Sequence, residues 1–140
     1  MQNSAMQCNN FALQAIGIVR SSLKNPQDAP KQGDEGAPEA WIELEEGFRP
    51  ALLGMKTGQE VILITWLHQA KRDVLQTHPR ADAGRPLTGV FSTRSPHRPN
   101  PLGLHRVTIR RIEETRLLVF PLEAIDGTPV VDIKAVYRAG

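Results

Sequence analysis

The run EVILITWL at positions 60–67 constrains the fold more than any other segment. Val61, Ile62, Ile64 and Thr65 are β-branched, and their stiff side chains suit extended backbone better than helix. Nearly every position is apolar, which predicts a strand covered on both faces. Shorter pieces repeat the theme. Residues 11–19 (FALQAIGIV) read as a first strand with imperfect alternation, and 40–44 alternate as a half-exposed strand does. Residues 87–93 form another short strand. Over 104–112, Val107 and Ile109 point one way while Arg106, Thr108 and Arg110 point the other. A turn at 113–115 makes a hairpin with 116–122. Asp126-Gly127 is a second turn signal, and 130–137 form a last short strand or turn.

Residues 24–38 hold Pro26, Pro30, Pro38, Gly33 and Gly36 and read as a loop. Residues 46–55 predict a short helix, broken by Pro50 or starting at it. No long helical period occurs. The expected class is mainly β: a small, single-sheet antiparallel barrel, closed or nearly so, with short helical segments and long loops, since closure removes exposed edges.

A chain of 140 residues suits one domain over 1–140, with 1–10 as a loose N-terminus. No segment approaches a membrane span, and the start lacks the pattern of a signal peptide, so a cytoplasmic setting is expected. Cys8 is the single cysteine, which excludes an intramolecular disulfide and a cysteine metal cage. The four histidines form no H-x-x-x-H pair, and no metal is expected. No G-x-G-x-x-G follows a strand, so a Rossmann dinucleotide site is not supported.

Net charge is only +2, but it is unevenly placed. Residues 33–48 hold six acids (Asp34, Glu35, Glu39, Glu43, Glu45, Glu46) and no lysine or arginine. Residues 83–112 hold six arginines (Arg85, Arg94, Arg98, Arg106, Arg110, Arg111) and no acid. A basic block attracts phosphates or a carboxylate. Alternatively, the two blocks face each other within the fold or across a dimer.

Inside the basic block lies FSTRSPHRPNPLGLH, residues 91–105. Pro96, Pro99 and Pro101 fix their own φ and bias the residue before each toward extended geometry. Such a loop is stiff before any ligand arrives, and a preorganised site loses less entropy on binding. Arg94 and Arg98 offer planar forks of donors suited to a carboxylate or phosphate. Gly103 allows close approach of backbone to a ligand or to another strand. The plainer alternative is a proline-clamped corner whose arginines pair with the acidic segment.

GVFSTRSPHRPNPLGL at 89–104 resembles the signature of the TsaA-like (TrmO) family of S-adenosylmethionine-dependent tRNA methyltransferases. DGTPVVDIK at 126–134 matches that family's second motif, and AIGIVRS at 15–21 resembles its opening strand. The resemblance implies methylation of N6 of a modified adenosine next to the anticodon of tRNA, a homodimer, and a cofactor site built from loops. It places Arg94, Leu104, Asp126, Gly127, Thr128 and Pro129 in that site. His68 and Gln69 match the family's His-Glu or His-Gln pair, and Pro30, Lys31 and Gln32 sit where Pro-Arg-Gln is frequent. The family's serine after Leu104 is His105 here, and its Ile-Lys-Pro-Tyr ending is IKAVY at 133–137.

Methyl transfer needs donor and acceptor held in near-attack geometry. An adenine amino group is a poor nucleophile, and something must accept its proton; His97, His68 and Asp126 are candidates that the sequence does not separate. Arg94 or Lys31 is placed to meet the cofactor carboxylate. Arg98, Arg106 and Arg110 are the candidates for RNA contact. Two other functions remain open: a non-catalytic barrel that binds nucleic acid or senses the cofactor, and a methyltransferase for a small molecule.

Overall fold

Eight strands form in the computed structural model, which describes residues 11–30 and 33–137. They are β1 (Gly17–Arg20), β2 (Ala40–Leu44), β3 (Glu60–Trp66), β4 (Gln76–Thr77), β5 (Thr88–Gly89), β6 (Leu102–Glu113), β7 (Arg116–Phe120) and β8 (Pro129–Ala135). Six of them close into an antiparallel barrel in the order β1-β2-β7-β6-β3-β8, and β8 bonds back to β1. β4 and β5 make a separate two-stranded ribbon. The closed, mainly β architecture expected from the sequence is therefore present. Among the described residues no helix is long and apolar enough to cross a membrane.

Alternation builds the core. Ile42 on β2, Val61 and Leu63 on β3, Val107 and Ile109 on β6, Leu117 and Val119 on β7, and Val130 on β8 are essentially fully buried. Each such side chain contributes about 1.5–3 kcal/mol through apolar burial. Along β6 the inward set continues toward the strand's start as Val107, His105 and Gly103. In register with β3, Gly103 faces Thr65 and His105 faces Leu63.

Several boundaries differ from expectation. Residues 11–16 are not strand; Phe11 and Leu13 stay exposed, and pairing begins at Gly17, where β2 supplies a partner. β3 is not covered on both faces: Val61, Leu63 and Thr65 are buried, while Ile62, Ile64 and Trp66 lie half-buried on the outer wall. The expected strand at 87–93 pairs only over Thr88–Gly89, and a 3₁₀ turn follows over Val90–Ser92. Glu46–Leu52 is a 3₁₀ helix with Pro50 inside it, in keeping with a proline that cannot donate to an α-helical ladder. Trp41 lies half-buried on the outer wall, with the Arg116 guanidinium 4.1 Å from its ring centre.

Candidate functional site

One end of the barrel opens into a cleft of about 710 Å³. Its walls come from five places. The end of β3 supplies Leu67, His68 and Gln69; the proline loop supplies Arg94, Ser95, Pro96, His97 and Arg98; β6 supplies residues 102–106. The segment after β7 adds Glu123, and the loop after β1 adds Pro26 and Pro30. A cavity of this size suits a small-molecule ligand.

The proline loop is held by its own arginine. Arg98 Nε donates to Ser95 O at 2.9 Å, and Nη2 donates to Val90 O and Thr93 O, each at 2.7 Å. Hydroxyls finish the work: Thr93 Oγ1 accepts from Ser95 N at 3.1 Å and Ser95 Oγ from His97 N at 3.3 Å. From outside, Lys71 N donates to His97 Nδ1 at 2.9 Å, and Arg72 reaches Pro99 O at 2.7 Å and Asn100 Oδ1 at 3.0 Å. The stiffness expected from three prolines is reinforced by a hydrogen-bond frame.

Within the basic block, the partners separate one arginine from the rest. Arg85 pairs with Asp82, Arg106 with Glu60, Arg110 with Glu39 and Arg111 with Glu113. Arg98 is taken up by carbonyls. Arg94 has only a 3.3 Å contact from Nη2 to Leu104 O; among the described residues no carboxylate partner is recorded for it, and it is exposed in the cleft. Of the two sequence expectations for the acidic block, pairing within the fold is seen at Glu39–Arg110.

The two motifs part company here. Pro30, His68, Gln69, Arg94, Leu104 and Thr128 line the cleft, as do Arg98 and Arg106. Lys31 and Gln32 lie outside the described residues. Asp126, Gly127, Pro129 and Arg110 do not line it. Asp126 Oδ1 accepts from Ser21 N at 2.9 Å and Oδ2 lies 3.3 Å from Lys24 Nζ. The Ser21 backbone hydrogen bond, helped by Lys24, holds its carboxyl below the usual carboxylate range. Gly127 adopts φ +87, the left-handed turn geometry that favours glycine, and its N–H donates to Val19 O at 2.8 Å. Thr128 is buried with its hydroxyl on Ile125 O at 2.7 Å. Pro129 instead borders a smaller cavity of about 440 Å³ with Phe11, Leu13 and Trp66.

Residues that the motifs did not name complete the site. Glu123 and His105 both line the cleft, His105 at 5% exposure. Thr65 Oγ1 lies 2.7 Å from His105 Nε2. The inward position of His105 was readable from the alternation of Gly103, His105, Val107 and Ile109; nothing local marks Glu123. Among the described residues no group of three or more His, Cys, Asp or Glu could hold a metal ion.

The donor set fits S-adenosylmethionine, the cofactor that the motif resemblance implies. Arg94 is a fork for a carboxylate, and Leu67, Pro96, Leu102 and Leu104 offer apolar surface for an adenine.

Comparison with known proteins follows the same line. Residues 18–139 match the family model described as tRNA-methyltransferase O N-terminal domain. A probable S-adenosyl-L-methionine-binding protein of Methanothermobacter thermautotrophicus is 41% identical over 126 residues, covering 90% of each chain. An S-adenosyl-L-methionine-binding protein of Archaeoglobus fulgidus is 39% identical over 122 residues, 87% of this chain and 86% of that one. A crystal structure of TrmO from Pseudomonas aeruginosa superposes with a TM-score of 0.71 at 30% identity. It covers 91% of this chain, which in turn spans 56% of that protein's length.

Proposed function

The chain belongs to the tRNA-methyltransferase O N-terminal domain family, and we propose that it binds S-adenosylmethionine in the cleft and methylates N6 of a modified adenosine next to the anticodon of tRNA. The observation that carries this is the setting of Arg94: within the basic block, it is the arginine for whose guanidinium neither a carboxylate nor a set of carbonyls is recorded among the described residues, and it lines a ligand-sized cleft. A carboxylate-bearing ligand supplies the missing partner. When bound, the cofactor supplies an electrophilic methyl group on a cationic sulfur. The chain's own residues hold and orient it: Arg94 at the carboxylate, His68 and Gln69 from the segment bonded to the proline loop, and Leu102 and Leu104 along the apolar side. The proline loop arrives prearranged, which limits the ordering cost of binding.

The working unit in this reading is a homodimer in the cytoplasm, where tRNA is met. Support comes from the outer wall: Ile64 pairs with Leu104 and Trp66 with Leu102 across β3 and β6, forming an apolar stripe whose two leucines also line the cleft. Leu102 is 41% and Leu104 50% exposed. A subunit placed against that stripe would deepen the cleft.

A second reading is favoured by one observation. Arg106 and Arg110 are in ion pairs with Glu60 and Glu39, so the face offered to RNA is less cationic than its arginine count. A cofactor-binding module without RNA chemistry, or a small-molecule methyltransferase, fits that pairing. The deciding experiment is calorimetry with S-adenosylmethionine, followed by methyl transfer to a bulk tRNA pool. Binding with turnover is expected. Binding without turnover on tRNA selects the second reading, and absence of binding at millimolar cofactor overturns both.

A further inference from the structure

Three polar side chains form a line at the cleft floor. Thr65 Oγ1 lies 2.7 Å from His105 Nε2, and His105 Nδ1 lies 3.0 Å from Glu123 Oε2. Thr65 is fully buried, His105 is 5% exposed, and the Glu123 side chain keeps 18% of its surface. Exposure thus rises along the series from Thr65 through His105 to Glu123, and both His105 and Glu123 line the cleft. Gly103 leaves room for it: a Cβ there would stand 2.5 Å from Thr65 Oγ1 and 2.7 Å from His105 Nε2.

What each atom can do sets the order of the hydrogen bonds. A carboxylate only accepts. A lone pair on Nδ1 would face the lone pairs of Oε2, so the ring proton belongs on Nδ1. Nε2 then accepts from the Thr65 hydroxyl. The approach of Nδ1 to Oε2 is close but off axis, and Nδ1 has no aligned hydrogen bond although it is buried. The short distance is the better guide to its electrostatic partner, because Glu123 has no other recorded partner among the described residues.

We infer that Glu123 is the proton acceptor of the methyl transfer, with His105 as a positioning residue behind it and Thr65 setting the imidazole tautomer. This rests on the methyltransferase reading above. Glu123 takes the proton of the attacking amino group while the nitrogen gains the methyl and the methyl–sulfur bond breaks, the sulfonium becoming a neutral thioether. Glu123 then returns the proton to solvent. The competing groups are worse placed. His97 Nδ1 already accepts from Lys71 N, which leaves Nε2 as the N–H of its neutral ring. Asp126 is outside the cleft with both oxygens engaged. Glu60 is held by Arg106. His68 is exposed, and among the described residues no hydrogen bond is recorded to orient it.

The test uses the full chain, S-adenosylmethionine and bulk tRNA. Glu123→Gln is expected to lower kcat about 100-fold or more while leaving the cofactor dissociation constant within about twofold. Glu123→Asp restores part of the loss, and carries the same comparison of kcat with affinity should the glutamine variant not fold. His105→Asn, which keeps a donor near the place of Nδ1, retains more turnover than His105→Phe. Independently of turnover, nitrogen-15 NMR of the wild-type ring is expected to show the proton on Nδ1. A wild type that binds cofactor and methylates nothing defeats the methyltransferase reading, and this inference with it. A wild type that turns over alongside an equally active, folded Glu123→Gln defeats the assignment of Glu123 alone. A ring protonated only on Nε2 defeats the proposed role of His105.

Discussion

The loop at 94–98 presents Arg94 to the cleft with its donors mostly available, whereas the turn at 126–128 directs its polar groups into the closure of the barrel. Both belong to motifs that carry the family resemblance in the sequence. In the first, one arginine frames the loop through three carbonyls so that another can face outward. In the second, the Asp126 carboxylate joins Ser21 and Lys24, and Gly127 returns the chain to Val19. A motif therefore does not say whether its residues meet a ligand or hold the frame that does. The partners of each charged group decide that.

The largest effect should come from the frame of the first loop. Arg98→Ala removes hydrogen bonds to Ser95, Val90 and Thr93 together. Bonds from a charged donor each contribute about 1.5–3 kcal/mol, and these three share one side chain, so a stability loss of roughly 2–4 kcal/mol is expected. Cofactor affinity should fall with it, because Arg94 loses its support. Urea melts and calorimetry measure both. Arg98→Ala with full affinity would mean that the prolines alone set the loop.

A crossed pair of variants sharpens the contrast. Arg94→Ala should weaken S-adenosylmethionine binding by about 1.5–3 kcal/mol, roughly 10- to 150-fold, with the melting temperature nearly unchanged. Asp126→Ala should do the reverse: it strands the Ser21 N–H, lowering stability by about 1–3 kcal/mol, with affinity little altered. If Asp126→Ala loses affinity without stability, the second motif belongs to the site after all.

A weaker effect is expected on the outer face. Arg106 and Arg110 can meet phosphate only by leaving Glu60 and Glu39. Exposed pairs of this sort are worth little to stability. Arg106→Gln or Arg110→Gln should therefore leave cofactor affinity intact and lower the salt slope of tRNA binding by less than about one unit each. A full unit or more at either position would make that arginine a direct phosphate contact.

The barrel was legible because alternation survives in β2, β6 and β7, where one face is buried and the other wet. The run at 60–67 misled about its outer face, since apolar residues on a barrel wall do not need full cover. Residues 11–15 look like a strand by composition but lack a neighbour to pair with. At the cleft, the presentation of Arg94 on a stiff loop was legible from the prolines. The hydrogen bonds of Arg98 and Asp126 were not, because partners such as Ser21, 105 positions away from Asp126, leave no local trace. Glu123 was hidden for the same reason: its nearest recorded partner, His105, lies on β6.

The smallest expected effect is on the pH dependence of the frame. Asp126 has a carboxyl held below its ordinary value near 3.8, first by the Ser21 N–H and then by Lys24. A group whose folded pKa is depressed adds stability that is present above the unfolded pKa and lost as pH falls through the folded one. Asp126→Asn keeps an oxygen for Ser21 N but removes the charge that strengthens the bond and attracts Lys24. Wild type should thus exceed Asp126→Asn in stability by a modest margin at neutral pH. That margin should shrink as pH falls below about 3.8 and vanish once Asp126 is protonated in the folded protein. Melts of both proteins between neutral and strongly acid pH measure it. Arg94→Gln serves as the control from the other loop, since its charge has no carboxylate partner recorded among the described residues. A margin between wild type and Asp126→Asn that stays constant with pH would show that the Asp126 charge contributes nothing to the turn, leaving the oxygen's acceptance from Ser21 as its whole contribution.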